Sequence, residues 1–112
     1  MRKDLIAHIE PKSHVSELFR TLRTNIQFMN SSKGLHSLLV TSTLPGEGKT
    51  WVASNLAIAF AQADKKVILI DADMRKCCLH NLFKVPLCPG LSNYLSGVND
   101  KKIETPDLAN YI

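Results

Sequence analysis

The residues best suited to chemistry lie at positions 43–50, which read Thr-Leu-Pro-Gly-Glu-Gly-Lys-Thr. Gly48, Lys49 and Thr50 have the spacing of a phosphate-binding loop. Thr43 stands where the general pattern has its first glycine. In such a loop the lysine reaches the β and γ phosphates and the threonine hydroxyl holds Mg²⁺, so the segment predicts a site for ATP with Mg²⁺. The residues expected to contact the nucleotide are Pro45, Gly46, Glu47, Gly48, Lys49, Thr50 and Trp51.

The flanking elements favour a phosphate site over a glycine-rich turn without a ligand. The apolar run at 38–40 predicts a strand covered on both faces, and the residues from Lys49 onward predict a buried helix. A loop between a strand and a helix lets amide groups and the helix dipole converge on phosphate oxygens. Two roles are open for Trp51, of which packing is favoured over stacking on a base.

A second group is acidic and follows the apolar run at 67–70, which predicts another buried strand. Asp71 and Asp73 would then lie at the carboxyl end of a parallel sheet, the edge at which ligands bind. Carboxylates near a nucleotide can hold Mg²⁺ or accept a proton from an attacking hydroxyl. An acidic loop exposed to solvent is the alternative.

Strand, helix and strand in this order predict a right-handed βαβ unit over residues 36–75. The expected fold class is therefore α/β, a P-loop-type parallel sheet flanked by helices. Two strands are too few to complete such a sheet, so residues 1–112 are expected to be the N-terminal part of a larger domain. Residues 76–112 are predicted to be irregular, with a short helix near 90–95.

A helix is also predicted over residues 12–30, with Ser13 or Ser16 as its cap and one buried apolar stripe. The stripe consists of Val15, Leu18, Phe19, Leu22, Ile26 and Met29. On the opposite face Glu17, Arg20 and Arg23 lie three residues apart. These charges form either a solvated face or a contact with another subunit, and physical reasoning alone favours the solvated face.

Composition excludes several function classes. The formal charge is +4, but the basic residues are scattered, which argues against nucleic-acid binding. No apolar stretch is long enough to span a membrane, and the polar start argues against a signal peptide, so a cytoplasmic protein is expected. Cys77, Cys78, His80 and Cys88 lack the spaced pairs of a structural zinc site, so no zinc is predicted.

Three motifs together resemble a known family. They are residues 13–27, residues 45–50 and residues 67–75, and their order and spacing are similar to those of bacterial tyrosine kinases of capsular and exopolysaccharide biosynthesis. The resemblance implies that Lys49 serves the ATP phosphates, that Asp71 serves near the attacking tyrosine hydroxyl, and that Thr50 and Asp73 help to hold Mg²⁺. The resemblance to this family covers about residues 5–97 of the chain.

The resemblance reverses the interpretation of the charged helix face. Glu17, Arg20 and Arg23 match the family's Glu-x-x-Arg-x-x-Arg motif, which implies a ring-like homo-oligomer. It further implies a membrane-bound activator of the polysaccharide chain-length type, and hence a location at the inner face of the membrane. The family's third acidic motif and its tyrosine cluster are missing, and Cys77 and Cys78 replace polar or small residues. The alternatives are a non-catalytic nucleotide-binding or interaction fragment and a partition-type P-loop ATPase.

Overall fold

A computed structural model describes residues 5–29 and 31–97, and within them five α-helices form. In chain order they are α1 (Ile6–Ile9), α2 (His14–Met29), α3 (Lys49–Ala61), α4 (Leu79–Phe83) and α5 (Leu91–Ser96). The chain divides into two units at Ile68 and Leu69. Helices α1 to α3 belong to the first unit, and α4 and α5 belong to the second.

The core of the first unit is built on α3, which the sequence predicts as a buried helix. Leu56, Ala59 and Phe60 of α3 pack with Phe19 of α2. Trp51 lies at the edge of this cluster, with its ring centroid 5.2 Å from that of Phe19 in an edge-to-face arrangement. Burial of these side chains fixes α3, and therefore the residues at its N-terminus, against α2.

Buried polar groups attach α1 to this core. The Asn55 side chain accepts a 2.9 Å hydrogen bond from the Ala7 amide, and Gln62 donates one of 2.8 Å to the Ala7 carbonyl. The Ser16 hydroxyl lies 2.6 Å from the Glu10 carbonyl and 3.1 Å from the Ile6 carbonyl, so its one hydrogen can be donated to either. A four-residue helix has too few internal hydrogen bonds to persist alone, so these contacts stabilise it. Helix α1 is not among the helices predicted from the sequence.

Helix α2 matches the predicted range, but the prediction of one buried stripe is wrong. Ser13 caps it, since the Ser13 hydroxyl accepts the amide of Ser16. Phe19 is buried and Ile26 half-buried. The other four apolar residues of the stripe are exposed, because α3 and α1 cover only one side of the helix; they are Val15, Leu18, Leu22 and Met29.

The predicted parallel sheet is not formed among the described residues. Residues 38–40 and 67–70 lie outside any helix or strand. Leu39 is 86% exposed and Ile68 75% exposed. A pair of parallel strands buries too little apolar surface to be stable by itself. This small burial explains why the sheet is not formed among the described residues. The sequence therefore locates the apolar runs, but it does not reveal that they are unpaired among the described residues.

The second unit contains more helix than predicted. Helix α5 lies at the predicted short helix, whereas α4 falls in a stretch expected to be irregular. Positions 98–112, also predicted to be irregular, lie outside the described residues. No helix in the described part of the chain combines the length and the apolar character needed to cross a membrane.

Candidate nucleotide-binding site

The loop at 43–50 has the backbone of a phosphate-binding loop at its glycines. Gly46 has φ of 81° and Gly48 has φ of 88°, conformations that side chains with a Cβ rarely adopt. Thr43 does not have a positive φ, so this position does not require the glycine of the general pattern. The structure thus explains why threonine is tolerated there.

Helix α3 begins at Lys49, directly after the loop. Its N-cap is Gly48, and no side chain makes a capping hydrogen bond there. The first amide groups of a helix point along its axis, where the partial positive charge of the helix dipole favours an anion. Lys49 and Thr50 are both half-buried at this end. The arrangement provides backbone donors, a cation and a hydroxyl within three consecutive residues, 48–50.

Trp51 contributes to packing rather than to an exposed platform. Its indole ring lies against Phe19, as the packing interpretation predicts. The next turn of α3 is held by Ser54, whose hydroxyl donates a 2.7 Å bond to the Thr50 carbonyl. The end of the loop is therefore connected directly to the core of the first unit.

Glu47 has a role within the loop that its place in the sequence did not predict. Its carboxylate turns back across the loop and accepts the amide hydrogens of Thr43 and Leu44 at 3.1 and 3.3 Å. The Thr43 hydroxyl also lies 3.3 Å from it. The available sequence signal for this role was an acidic residue inside a segment that is expected to bind an anion.

Asp71 and Asp73 organise the segment that follows them. Asp71 accepts backbone amide hydrogens from Asp73, Cys78 and Leu79 at 3.1 to 3.2 Å. It thereby serves the N-terminus of α4, where the N-cap residue Cys78 makes no side-chain capping bond. This distant cap explains why a helix forms where irregular structure was predicted.

The Asp73 carboxylate makes a tighter turn. It accepts the amide hydrogens of Arg75 and Lys76 at 3.1 and 2.9 Å. Both acids thus already hold backbone amides, although a carboxylate has further lone pairs for a metal or a proton. Asp73 and Thr50 belong to different units, and their predicted convergence on Mg²⁺ stays a prediction.

The charged residues of α2 make contacts within the first unit. Glu17 and Arg20 form an ion pair of 2.6 Å, and Arg20 also donates to the Pro11 carbonyl. Arg23 donates a 2.7 Å bond to the carbonyl of Ala59 in the last turn of α3, while its Nε is buried without a partner. The triad is therefore not simply a solvated face, and its predicted role between subunits stays a prediction.

Comparison with known proteins identifies the family. Residues 38–93, half of the chain, match the CobQ/CobB/MinD/ParA nucleotide binding domain. The chain belongs to the CobQ/CobB/MinD/ParA nucleotide-binding family. The match confirms the prediction of a nucleotide-binding P-loop fold, and it spans the phosphate loop, the acidic segment and α4 and ends within α5.

Within the CobQ/CobB/MinD/ParA family, the chain is similar to several tyrosine-protein kinases. It is 48% identical over 95 residues to the tyrosine-protein kinase YwqD of Bacillus subtilis, covering 85% of this chain and 40% of that protein. A putative tyrosine-protein kinase of Staphylococcus aureus, CapB, is 44% identical over 91 residues, covering 81% of this chain and 40% of the relative. The predicted resemblance to bacterial tyrosine kinases is confirmed.

A solved structure supports the same relationship. The chimerical protein CapA2B2 superposes with a TM-score of 0.82 at 42% identity, covering 88% of this chain and 43% of the chimera. The chain spans about 40% of the length of the two relatives described above.

Proposed function

We propose that the chain is the ATP-binding part of a bacterial protein-tyrosine kinase that serves capsular or exopolysaccharide biosynthesis. The observation that carries the proposal is its 48% identity to a tyrosine-protein kinase over 85% of its length. The loop geometry supports it, because Gly46 and Gly48 adopt the conformations that a phosphate cradle needs. The substrate class is a tyrosine hydroxyl on a protein.

The proposed reaction depends on positioning and charge neutralisation. Lys49 and the amide groups at the start of α3 would hold the phosphates of ATP, and Thr50 and Asp73 are the residues that would hold Mg²⁺. When bound, Mg²⁺ would supply neutralisation of the negative charge on the phosphates. Asp71 accepts the proton as the tyrosine oxygen bonds to the γ-phosphorus and the bond to the ADP oxygen breaks. The half-buried hydroxyl of Thr50 is a hard oxygen donor, which fits this ion.

The nucleotide part of the proposal is tested by titrating a fluorescent ATP analogue with Mg²⁺ into the 112-residue chain. Lys49→Met should weaken binding at least about tenfold, because it removes a charged donor to the phosphates. Lys33→Met is the matched control, since Lys33 is exposed and lies outside the loop. Absence of binding by the parent, or equal binding by Lys49→Met, would refute the nucleotide proposal.

Catalysis requires a separate measurement. Purified chain is mixed with Mg²⁺-ATP and a tyrosine-rich peptide, and phosphotyrosine is quantified for the parent and for Lys49→Met. Lys49-dependent phosphorylation supports a kinase that is competent within these residues. Binding without transfer favours the second candidate, a nucleotide-binding or interaction part, which is supported by the 40% coverage of the relatives.

Self-association through α2 is also proposed. The exposed apolar side chains of Val15, Leu18 and Leu22 beside the Glu17–Arg20 pair support it, because this face has apolar area left to bury. Arg20→Ala should lower the molar mass measured by light scattering after size exclusion. An unchanged mass would refute the proposed self-association and leave Glu17 and Arg20 without a role between subunits.

The proposal extends to a partner and a location. A membrane-bound activator of the polysaccharide chain-length type would hold the kinase at the inner face of the membrane. The structural neighbour supports a second protein as partner, because it is a chimerical protein, CapA2B2, whose name contains a part besides that of the kinase relative CapB. Co-sedimentation of the chain with vesicles should then require the activator; sedimentation without it would contradict the proposed recruitment.

A further inference from the structure

The acid inside the phosphate loop requires a physical explanation. Glu47 lies between the two glycines of a segment that is built to hold anions. A carboxylate beside a nucleotide phosphate is repelled by it, and this repulsion would lower the affinity of the loop for ATP. A negative side chain at this position must therefore provide a benefit that offsets the repulsion.

The hydrogen bonds of Glu47 indicate what that benefit is. Its carboxylate contacts the amides of Thr43 and Leu44 and the Thr43 hydroxyl, all in the first half of the loop. It does not use the amide groups at the start of α3, which are the ones best oriented for phosphate. The side chain therefore joins the two halves of the loop and leaves its phosphate-facing end available.

The loop contains features that make such a connection useful. Gly46 lies between Glu47 and the residues it contacts, has φ of 81°, and has no atom near the position a Cβ would occupy. A glycine with this freedom lets the unliganded loop adopt many conformations, and ordering them on binding costs free energy. A second bond links the same region, since the Ser42 hydroxyl donates to the Leu44 carbonyl at 2.9 Å.

We propose that Glu47 is the positioning residue of the phosphate loop, whose carboxylate holds residues 43–44 and keeps the loop in its nucleotide-binding shape before the nucleotide arrives. This inference rests on the nucleotide binding proposed above. It also accounts for Thr43, whose amide and hydroxyl both contact the Glu47 carboxylate.

Two substitutions separate the bonding from the charge. Glu47→Ala removes the acceptor, so the loop loses its connection. Glu47→Gln keeps one acceptor oxygen and removes the negative charge, so it should retain much of the connection while reducing repulsion of the phosphates. If Glu47 only repelled phosphate, both variants would bind the nucleotide more tightly than the parent. The positioning role predicts instead that Glu47→Ala binds more weakly than Glu47→Gln.

The experiment combines amide hydrogen exchange at Thr43 and Leu44 with the affinity for the fluorescent ATP analogue. Glu47→Ala should speed exchange and weaken binding by about fivefold to tenfold, as expected for losing two hydrogen bonds at an exposed site. Glu47→Gln should restore both to within about threefold of the parent, because one acceptor remains. Glu10→Ala is the control, since Glu10 is an exposed glutamate outside the loop.

The outcomes distinguish this inference from the function on which it rests. If the parent binds no analogue, the proposed function fails, and exchange alone then decides the role of Glu47. Unchanged exchange in Glu47→Ala overturns the inference whether or not nucleotide binds. Equal losses in Glu47→Gln and Glu47→Ala also overturn it, because they would show that the charge rather than the acceptor matters.

Discussion

Substitution of Asn55 by alanine should release α1 from α3. Asn55 is fully buried, and its side-chain oxygen accepts the amide hydrogen of Ala7, which is itself 1% exposed. The side-chain nitrogen donates to the carbonyl of Trp51 one turn earlier. Alanine at this position therefore leaves a buried amide of α1 without its acceptor.

The expected cost follows from that orphaned amide. A buried donor left without a partner costs about 1–3 kcal/mol, so we expect α1 to be destabilised by about 2 kcal/mol. The Trp51 carbonyl loses only an additional bond, which should add little. A change of about 2 kcal/mol corresponds to about a 30-fold increase in the opening equilibrium of α1.

Amide hydrogen exchange measures this opening directly and does not require cooperative unfolding of the whole chain. The Ala7 amide should exchange about 30-fold faster in Asn55→Ala, whereas amides in the middle of α2 should change little. Asn25→Ala is the matched control, because Asn25 is exposed on α2. Less than about a twofold change at Ala7 would show that its bond to Asn55 contributes no stability, and the reasoning would be refuted.

Two further predictions concern the acidic loop and the core. Asp71→Ala should increase amide exchange at Cys78 by about tenfold, because the Asp71 carboxylate accepts that amide hydrogen. Exchange at Arg75, whose amide is held by Asp73, should stay unchanged. An equal increase at Cys78 and Arg75 would contradict separate roles for the two acids. Phe19→Ala should destabilise the first unit by about 3 kcal/mol and shift the emission of Trp51, the one tryptophan, to longer wavelength. An unshifted emission would mean that the edge-to-face contact is not maintained in solution.

Local signals in the sequence were sufficient for the elements with local causes. Ser13 caps α2 through bonds to the next turn, and Gly46 and Gly48 adopt the conformations that only glycine takes easily. The phosphate loop and the start of α3 were predicted for the same reason. Each depends on residues within a few positions of one another, where spacing alone specifies the geometry.

Elements with distant causes could not be predicted in this way. Helix α4 depends on Asp71, seven residues before its N-cap, and α1 depends on Asn55, 48 residues after Ala7. Which apolar residues of α2 are buried depends on the side of the helix that α3 covers. The periodicity of the sequence does not specify that side. Asn55 was the available clue, because a polar residue within an otherwise apolar buried helix requires a partner.

The two apolar runs that lie outside any strand also affect how the protein behaves in concentrated solution. Short uncharged segments rich in apolar residues can pair edge to edge between molecules and begin aggregation. The run at 67–70 is flanked by Lys66 and Asp71, whose charges oppose such pairing. The run at 38–40 lies between Ser37 and Thr41 and has no flanking charge, so we expect contacts between chains to form more readily at its exposed Leu39 than at the run at 67–70.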